Sequence, residues 1–222
     1  MIHSITPFTT TDYPGKLACI AWFAGCNMRC VYCYNDSLVL SKGSIDSKEF
    51  INFLKSRVDK LDGVVFSGGE CTLSPEFNQL AKETKALGFS LKVDTNGSNV
   101  DVLKKAIEDG LIDYIALDFK TLKSEYKLIT KTNLYDNFIQ TLKYLISINF
   151  DFEVRTTVHA DFINENDVSK MSEILEKNGY TNTYYLQNFL ETGTNFGALQ
   201  NPKASFDPSM IKTNLKIELR NF

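Results

Sequence analysis

The chain has 222 residues, of which 43% are hydrophobic and 23% are charged, a composition that excludes a disordered or fibrous protein. Lysine and arginine total 24 and aspartate and glutamate 27, a net charge of −3, so we expect no binding to nucleic acid or to an anionic membrane surface. The longest apolar run, residues 17–26, is about half of a membrane span, and no basic stretch precedes an apolar one at the N-terminus. A cytoplasmic protein is therefore expected.

Short apolar runs of the β type alternate along the chain with segments of helical periodicity, the pattern of repeated βα units around a parallel sheet. This pattern predicts six strands, at residues 17–23, 63–67, 89–94, 114–118, 152–158 and 183–187. The remainder, from Asn188 on, lacks the pattern and is expected to be a loop-like extension.

Helix signals separate these strands. Asp46 and Glu49 have the spacing of a capping box, and apolar residues then recur at helical spacing as far as Leu61. Ser74 is predicted as the N-cap of the next helix, with Pro75 at its first position. Three further helices are predicted from apolar faces at Leu103, Ala106 and Ile107; at Phe138, Leu142, Leu145 and Ile146; and at Met171, Ile174 and Leu175.

Six βα units are fewer than the eight of a closed barrel, which takes about 250 residues. The sequence therefore predicts an α/β fold, a partial (β/α)6 barrel of parallel strands. We expect one domain over residues 1–222, with a core at about 12–187 and a C-terminal extension at 188–222. Ligands bind at the carboxyl ends of the strands in such sheets, so the residues that follow each strand are the candidates for a site.

Three of the five cysteines follow the first strand, as Cys26, Cys30 and Cys33. A disulfide framework is disfavoured, because nothing directs the chain to an oxidising compartment and the domain is large enough to fold without cross-links. Three thiolates can hold three irons of a cubane cluster and leave the fourth iron open. Zinc would need a fourth ligand, and neither the other cysteines nor the two histidines lie at a familiar spacing. An iron–sulfur centre is favoured over zinc.

Ser67, Gly68, Gly69 and Glu70 form a glycine turn with a carboxylate at the end of the second strand. Two glycines let the backbone approach a ligand closely, and Glu70 could accept a hydrogen bond from an ammonium group. In isolation, the same residues favour a plain tight turn between a strand and a helix over a ligand site.

Carboxylates also follow the third and fourth strands, in the segments Asp94-Thr95-Asn96-Gly97 and Asp118-Phe119-Lys120. The alternative for each aspartate is a turn or a helix cap. On the fifth strand, Arg155 is predicted to point inward, where it needs an anion or forms a structural ion pair. Gln187 ends the sixth strand with an amide suited to a hydroxyl group or an adenine edge.

Taken in order, these segments resemble the radical S-adenosylmethionine enzymes. The run GCNMRCVYCYN at residues 25–35 resembles the cluster motif of that superfamily, and SGGE, DTNG and ALDFK follow in its order. The resemblance covers about residues 12–187. It implies that the three cysteines bind a [4Fe-4S] cluster, that S-adenosylmethionine chelates the open iron, and that the SGGE residues 67–70 hold its methionine moiety.

The resemblance also implies roles at the later strand ends. Tyr32 would border the adenine, and Arg155 and Gln187 would complete the pocket together with Asn96. Asp94, Thr95 and Asp118 match positions that hold a monovalent cation in the pyruvate formate-lyase activating enzyme. No catalytic side chain is expected beyond the cluster and the cofactor.

Within the superfamily, DYPGK at residues 12–16 is similar to the activating proteins of anaerobic ribonucleoside-triphosphate reductase, which are oxidoreductases that activate a glycyl-radical enzyme. The implied reaction is electron transfer from the reduced cluster into the sulfonium, which breaks its bond to C5′ and yields methionine and a 5′-deoxyadenosyl radical that takes a hydrogen atom from a glycine Cα of the partner. A flavodoxin or ferredoxin is the implied electron donor.

Two alternatives remain open. One is a small-molecule radical enzyme of the 7-carboxy-7-deazaguanine synthase type, and the other is a non-catalytic iron–sulfur or zinc protein. Cys71 stands where a proline is common in the family, and it is either an inert core thiol or a reactive one close to the cofactor.

Overall fold

The computed structural model describes residues 1–222, and the chain divides into two compact units. The first unit consists of residues 1–27 and 37–116, and the second of residues 28–36 and 117–222. The expectation of a single domain stays a prediction. No helix combines the length and the apolar composition that crossing a membrane requires.

The first unit is built on four neighbouring strands, β1 (Ile2–Thr9), β2 (Ala18–Phe23), β3 (Gly63–Gly68) and β4 (Ser90–Thr95). β1 runs antiparallel to β2, whereas β2, β3 and β4 are parallel. Strand β5 (Tyr114–Asp118) begins in this unit and ends in the second. The helices are α1 (Asp36–Leu40), α2 (Ser47–Lys55), α3 (Phe77–Ala86) and α4 (Val100–Glu108), with a 3-10 turn at Cys71–Leu73.

The second unit contains three parallel strands, β6 (Phe152–Val158), β7 (Tyr184–Asn188) and β8 (Ile217–Arg220). Its helices are α5 (Tyr126–Thr130), α6 (Tyr135–Ser147) and α7 (Glu165–Lys177), with a 3-10 turn at Pro208–Met210.

Strand β3 is buried on both faces, as parallel strands covered by helices are. On one face, Val65 packs with Tyr13, Ala18 and Ile20. On the other face, Phe66 contacts the rings of Phe23, Phe50 and Phe77, with ring centroids 5.0 to 6.1 Å apart. Tyr13 of the DYPGK segment is therefore a core residue.

All six predicted strands are present, and β5 and β6 have the predicted bounds. Two strands were not predicted. β1 carries His3, Ser4 and Pro7 and shows no clean alternation. β8 lies in the extension that was expected to be a loop, and it exists because it pairs with β7.

Two helix predictions need correction, although Asp46 does cap α2, with its Oδ1 accepting from the Glu49 N–H at 2.8 Å. α2 ends at Lys55 and does not reach Leu61, because the chain continues in turns and Asp59 takes a left-handed φ of 62°. Ser74 is not an N-cap: α3 begins at Phe77, whose N–H donates to the Ser74 carbonyl in a separate turn. Helices α1 and α5 were also not predicted.

Candidate active site

Parallel strands place their carboxyl ends at one edge of a sheet, so the ends of β2, β3 and β4 lie together in the first unit. Trp22 is paired in register with Ser67, and Phe23 with Gly68. The SGGE turn, residues 67–70, and the DTNG turn, residues 94–97, leave the sheet at this edge.

The two glycines of the SGGE turn are required by the backbone beside them. A Cβ on Gly69 would lie 1.8 Å from the carbonyl oxygen of Gly25, and one on Gly68, at a φ of 120°, would lie 2.4 Å from the backbone of Phe23. Hydrogen bonds join the same segments, from the Gly69 N–H to the Phe23 carbonyl and from the Glu70 N–H to the Gly25 carbonyl, both at 2.9 Å. The SGGE turn thus supports the start of the cysteine segment, residues 24–35, which lies between β2 and α1.

Glu70 is the centre of a buried hydrogen-bond network, and 1% of its surface is exposed. Its Oε1 accepts from the hydroxyl groups of Thr72 and Thr95, at 2.6 and 2.8 Å, and from the Thr72 N–H at 3.3 Å. Its Oε2 accepts from the Asn96 N–H at 2.7 Å. The carboxylate therefore joins the SGGE turn to the DTNG turn, and a direct contact with S-adenosylmethionine stays a prediction.

Asn27, which sequence reasoning missed, ties the cysteine segment to the DTNG turn. Its amide Nδ2 donates to the Ser98 hydroxyl at 2.8 Å, and its Oδ1 accepts from the Asn96 amide at 3.0 Å. The available signal was the position of Asn27 directly after Cys26, because a short amide side chain in a loop can form hydrogen bonds with nearby groups.

Asp94 projects from the end of β4 and is held by two side chains. Its Oδ2 accepts from the Ser67 hydroxyl at 2.9 Å, and its Oδ1 lies 2.6 Å from the Lys92 ammonium. Lys92 was also missed, although a lysine two residues before Asp94 in a buried strand points to the same face.

In the second unit, Asp118 ends β5 between two cations. Its Oδ1 lies 2.6 Å from Arg155 Nε, and its Oδ2 lies 2.9 Å from Lys120 Nζ. Burial raises the pKa of this carboxyl, but Arg155 and then Lys120 outweigh burial and hold the pKa at about 2. The three side chains together carry one positive charge.

Arg155 thus forms an ion pair, one of the two roles predicted for it. Glu153, two residues earlier on β6, also binds an arginine, since its carboxylate accepts from both terminal nitrogens of Arg220 at 3.0 and 3.1 Å. Gln187 lies on β7, in register with Thr157 and with Arg220.

The cysteine segment lies between β2 and α1 without helix or strand, and its later half belongs to the second unit. There the N–H groups of Arg29 and Val31 donate to the carbonyls at the end of α5, both at 3.0 Å, and the Cys33 N–H donates to the Cys30 carbonyl at 2.9 Å. The buried Tyr32 hydroxyl donates to the Lys120 carbonyl at 3.3 Å, and burial raises its pKa. A border with adenine stays a prediction.

The donor set of this segment fits an iron–sulfur cluster. Cys26, Cys30 and Cys33 are all free thiols, and three thiols on one segment supply three of the four iron ligands of a cubane. No group of three or more His, Cys, Asp or Glu side chains is placed to hold a single metal ion; in a cubane each cysteine binds an iron of its own.

The other two cysteines are core thiols. Cys19 and Cys71 are completely buried. Burial raises the pKa of Cys19 to about 12 and, together with Glu70 and Asp94, raises that of Cys71 well above its ordinary value. Burial thus favours the protonated, less reactive form of both thiols.

Comparison with protein families identifies the superfamily. The model described as the Radical SAM superfamily matches residues 20–176, more than half of the chain. One relative, a Methanocaldococcus jannaschii protein provisionally named a glycyl-radical enzyme activating enzyme, is 30% identical over 185 residues, which are 79% of this chain and 75% of that protein. The pyruvate formate-lyase-activating enzyme of Clostridium pasteurianum is 32% identical over 64% of this chain and 63% of its own length.

Among solved structures, Streptococcus suis SuiB bound to S-adenosylmethionine superimposes with a TM-score of 0.68 at 16% identity. The match covers 91% of this chain and 49% of that chain, so the present chain spans about half of the solved protein. This likeness confirms the predicted α/β fold with its partial barrel of parallel strands.

Proposed function

Because the chain belongs to the radical S-adenosylmethionine superfamily of enzymes, we propose that it generates a glycyl radical on a partner enzyme, an anaerobic ribonucleoside-triphosphate reductase. The observation that carries the proposal is the pair of relatives at 30% and 32% identity, both named as activating enzymes. The choice of the reductase is supported by the similarity of residues 12–16 to its activating proteins.

The cofactors of the superfamily, a [4Fe-4S] cluster and S-adenosylmethionine, supply electron transfer into a sulfonium and removal of a hydrogen atom from carbon. In this chain Cys26, Cys30 and Cys33 would hold the cluster through their thiolates. Five free thiols are typical of a reducing compartment, which suits a cytoplasmic enzyme that receives electrons from a flavodoxin or a ferredoxin.

The remaining residues would bind and orient S-adenosylmethionine. In the first unit, Ser67, Gly68 and Gly69 would lie along its methionine moiety, while Glu70 keeps their turn in place through Thr95 and Asn96. In the second unit, the single net positive charge of Asp118, Lys120 and Arg155 suits the carboxylate of S-adenosylmethionine. Tyr32 and Gln187 would border the nucleoside.

The test is an anaerobic reaction of the iron-reconstituted, dithionite-reduced protein with S-adenosylmethionine and a purified anaerobic ribonucleoside-triphosphate reductase. Electron paramagnetic resonance follows the glycyl radical, and chromatography follows 5′-deoxyadenosine. We expect a glycyl radical on the reductase, formed together with 5′-deoxyadenosine.

Two variants control this experiment. Cys30→Ser removes a proposed cluster ligand and should abolish both products, whereas Cys19→Ala removes a buried thiol elsewhere and should keep both. Formation of 5′-deoxyadenosine with pyruvate formate-lyase and not with the reductase would show that the partner is a different glycyl-radical enzyme. If only the substrate of 7-carboxy-7-deazaguanine synthase stimulates formation of 5′-deoxyadenosine, the proposed activase function is wrong.

A further inference from the structure

Lys92 is a buried cation that the proposed function does not use. Its side chain keeps 3% of its surface exposed, and its Nζ lies 2.6 Å from Asp94 Oδ1. Lys85 and Lys105, which also form ion pairs in the first unit, keep 28% and 63% of their side-chain surface exposed. A buried ammonium is unfavourable unless it is paired, so Lys92 and Asp94 need each other.

Both oxygens of the Asp94 carboxylate have partners within the first unit. Oδ1 is paired with Lys92, and Oδ2 accepts from the Ser67 hydroxyl at 2.9 Å. The hydroxyl of the next residue, Thr95, donates to Glu70 at 2.8 Å and accepts from the Gly97 N–H at 3.1 Å.

The carboxylate of Asp118 is occupied in the same way in the second unit. Arg155 Nε lies 2.6 Å from Oδ1, and Lys120 Nζ lies 2.9 Å from Oδ2. Sequence similarity assigned Asp94, Thr95 and Asp118 to a monovalent cation, but each carboxylate already carries a cation of the protein. The residues therefore do not fit an added ion, which would be repelled by the ammonium beside it.

We propose that the Lys92 ammonium is the resident cation at Asp94 in the first unit, so that S-adenosylmethionine binds without an added monovalent cation. Lys92 is a positioning residue: it neutralises Asp94, and Asp94 in turn orients Ser67 at the start of the SGGE turn. The inference rests on the proposed S-adenosylmethionine site at these turns.

The first experiment needs no variant. The reconstituted protein is exchanged into a buffer whose only monovalent cation is tetramethylammonium, and equilibrium dialysis measures S-adenosylmethionine affinity before and after addition of potassium or sodium. We expect less than a twofold change. A tenfold or larger gain in affinity on adding potassium or sodium would overturn the inference.

The second experiment removes the resident cation. Lys92→Met leaves Asp94 charged, and we expect the affinity for S-adenosylmethionine to fall at least tenfold in tetramethylammonium and to recover with potassium. Lys92→Met with Asp94→Asn removes both charges and should not respond to potassium. Lys105→Met, the same change at an exposed ion pair, is the matched control and should behave as the unaltered protein.

Cation binding itself is measured by the line width of thallium-205 or sodium-23 in nuclear magnetic resonance on the full chain. Broadening is expected with Lys92→Met and not with the unaltered chain or the double variant. This readout needs neither iron nor a partner, so it separates a failure of this inference from a failure of the proposed function. A folded Lys92→Met protein with no cation response in either measurement would contradict the role of Lys92, and if that variant does not fold, the first experiment alone decides.

Discussion

Two carboxylates at strand ends, the buried Glu70 in the first unit and the partly buried Asp118 in the second, are stabilised by opposite means. Glu70 accepts four hydrogen bonds from hydroxyl and amide donors, all of them neutral. Asp118 is paired with two cations, Arg155 and Lys120. Burial raises the pKa of Glu70 because hydrogen bonds from Thr72, Asn96 and Thr95 do not offset it, whereas charge holds the pKa of Asp118 at about 2.

The difference shows what each unit contributes. Neutral donors bond in fixed directions, so the network of Glu70 fixes the relative position of the SGGE and DTNG turns. Asp118, Lys120 and Arg155 place a net positive charge at the end of β5. The stabilisation that such charges provide depends less on direction and more on pH. Substitutions in the first unit should therefore disturb geometry, and those in the second should disturb charge.

The largest expected effect comes from Gly69→Ala. The new Cβ would lie 1.8 Å from the Gly25 carbonyl and 3.2 Å from the Cys26 Cβ, so the turn and the cysteine segment must move apart. We expect a loss of about 3 kcal/mol or more in the free energy of unfolding and at least a hundredfold loss of S-adenosylmethionine cleavage. Urea unfolding and iron content after reconstitution measure both.

Gly88→Ala is the control for that variant. Gly88 also has a positive φ, 90°, but a Cβ there meets no atom within 4 Å, so the cost is about 1 kcal/mol from backbone strain alone. If Gly69→Ala costs no more than Gly88→Ala and binds iron fully, the SGGE turn does not support the cysteine segment.

The network of Glu70 is tested by Glu70→Gln, which keeps the shape of the side chain. Its amide nitrogen would face the N–H of Asn96 or the donors of Thr72 and Thr95, and one buried donor is left without an acceptor. We expect a loss of about 2 kcal/mol in the free energy of unfolding and faster hydrogen exchange at Asn96. Glu83→Gln, on an exposed helix surface where Gln79 is the partner, should change the free energy by less than about 0.5 kcal/mol.

The charge of the second unit is tested by pH. The pKa of Asp118 is lowered from 3.8 to about 2 in the folded chain, so its stabilising contribution is complete above about pH 4 and is lost as the pH falls toward 2. The raised pKa of Glu70 gives a pH dependence of the opposite sign. The contribution of Glu70 to stability is complete below pH 4.5 and is lost as the pH rises through its pKa in the folded chain.

Calorimetry of the unaltered chain and of Asp118→Asn between pH 6 and pH 3 measures the effect of Asp118. The difference between the two proteins should be about 2 to 3 kcal/mol at pH 6 and should shrink at acid pH. A difference that is independent of pH would show that Asp118 stabilises the second unit through its shape and hydrogen bonds, not its charge.

Sequence reasoning was most successful where burial is regular and local. β6 alternates cleanly, with Val154, Thr156 and Val158 buried on one face, and its bounds were predicted correctly. β8 could not be found in this way, because four half-exposed residues become a strand only through pairing with β7 and the bond from Arg220 to Glu153.

In the candidate site, the segments at the strand ends were identified from their order along the chain and their residue types. The hydrogen-bond partners of their side chains were not. The contacts of Glu70 with Thr95 and of Asn27 with Ser98 join residues 25 and 71 positions apart. Such contacts depend on how neighbouring turns pack, which a pattern of residue types along one segment does not contain.

The smallest effect is expected at Cys71. It directly follows Glu70 but does not take part in a network of strong hydrogen bonds as Glu70 does. Its thiol is fully buried and interacts weakly with the Phe66 and Asp94 carbonyls, at 3.7 and 3.6 Å. Cys71→Ala should cost about 1 kcal/mol in the free energy of unfolding and leave the rate of S-adenosylmethionine cleavage unchanged. In the unaltered chain, iodoacetamide should modify Cys71 only after unfolding in urea, as mass spectrometry can show. Rapid modification of Cys71 in the folded protein, or loss of cleavage in a stably folded Cys71→Ala variant, would instead place a reactive thiol beside the SGGE turn.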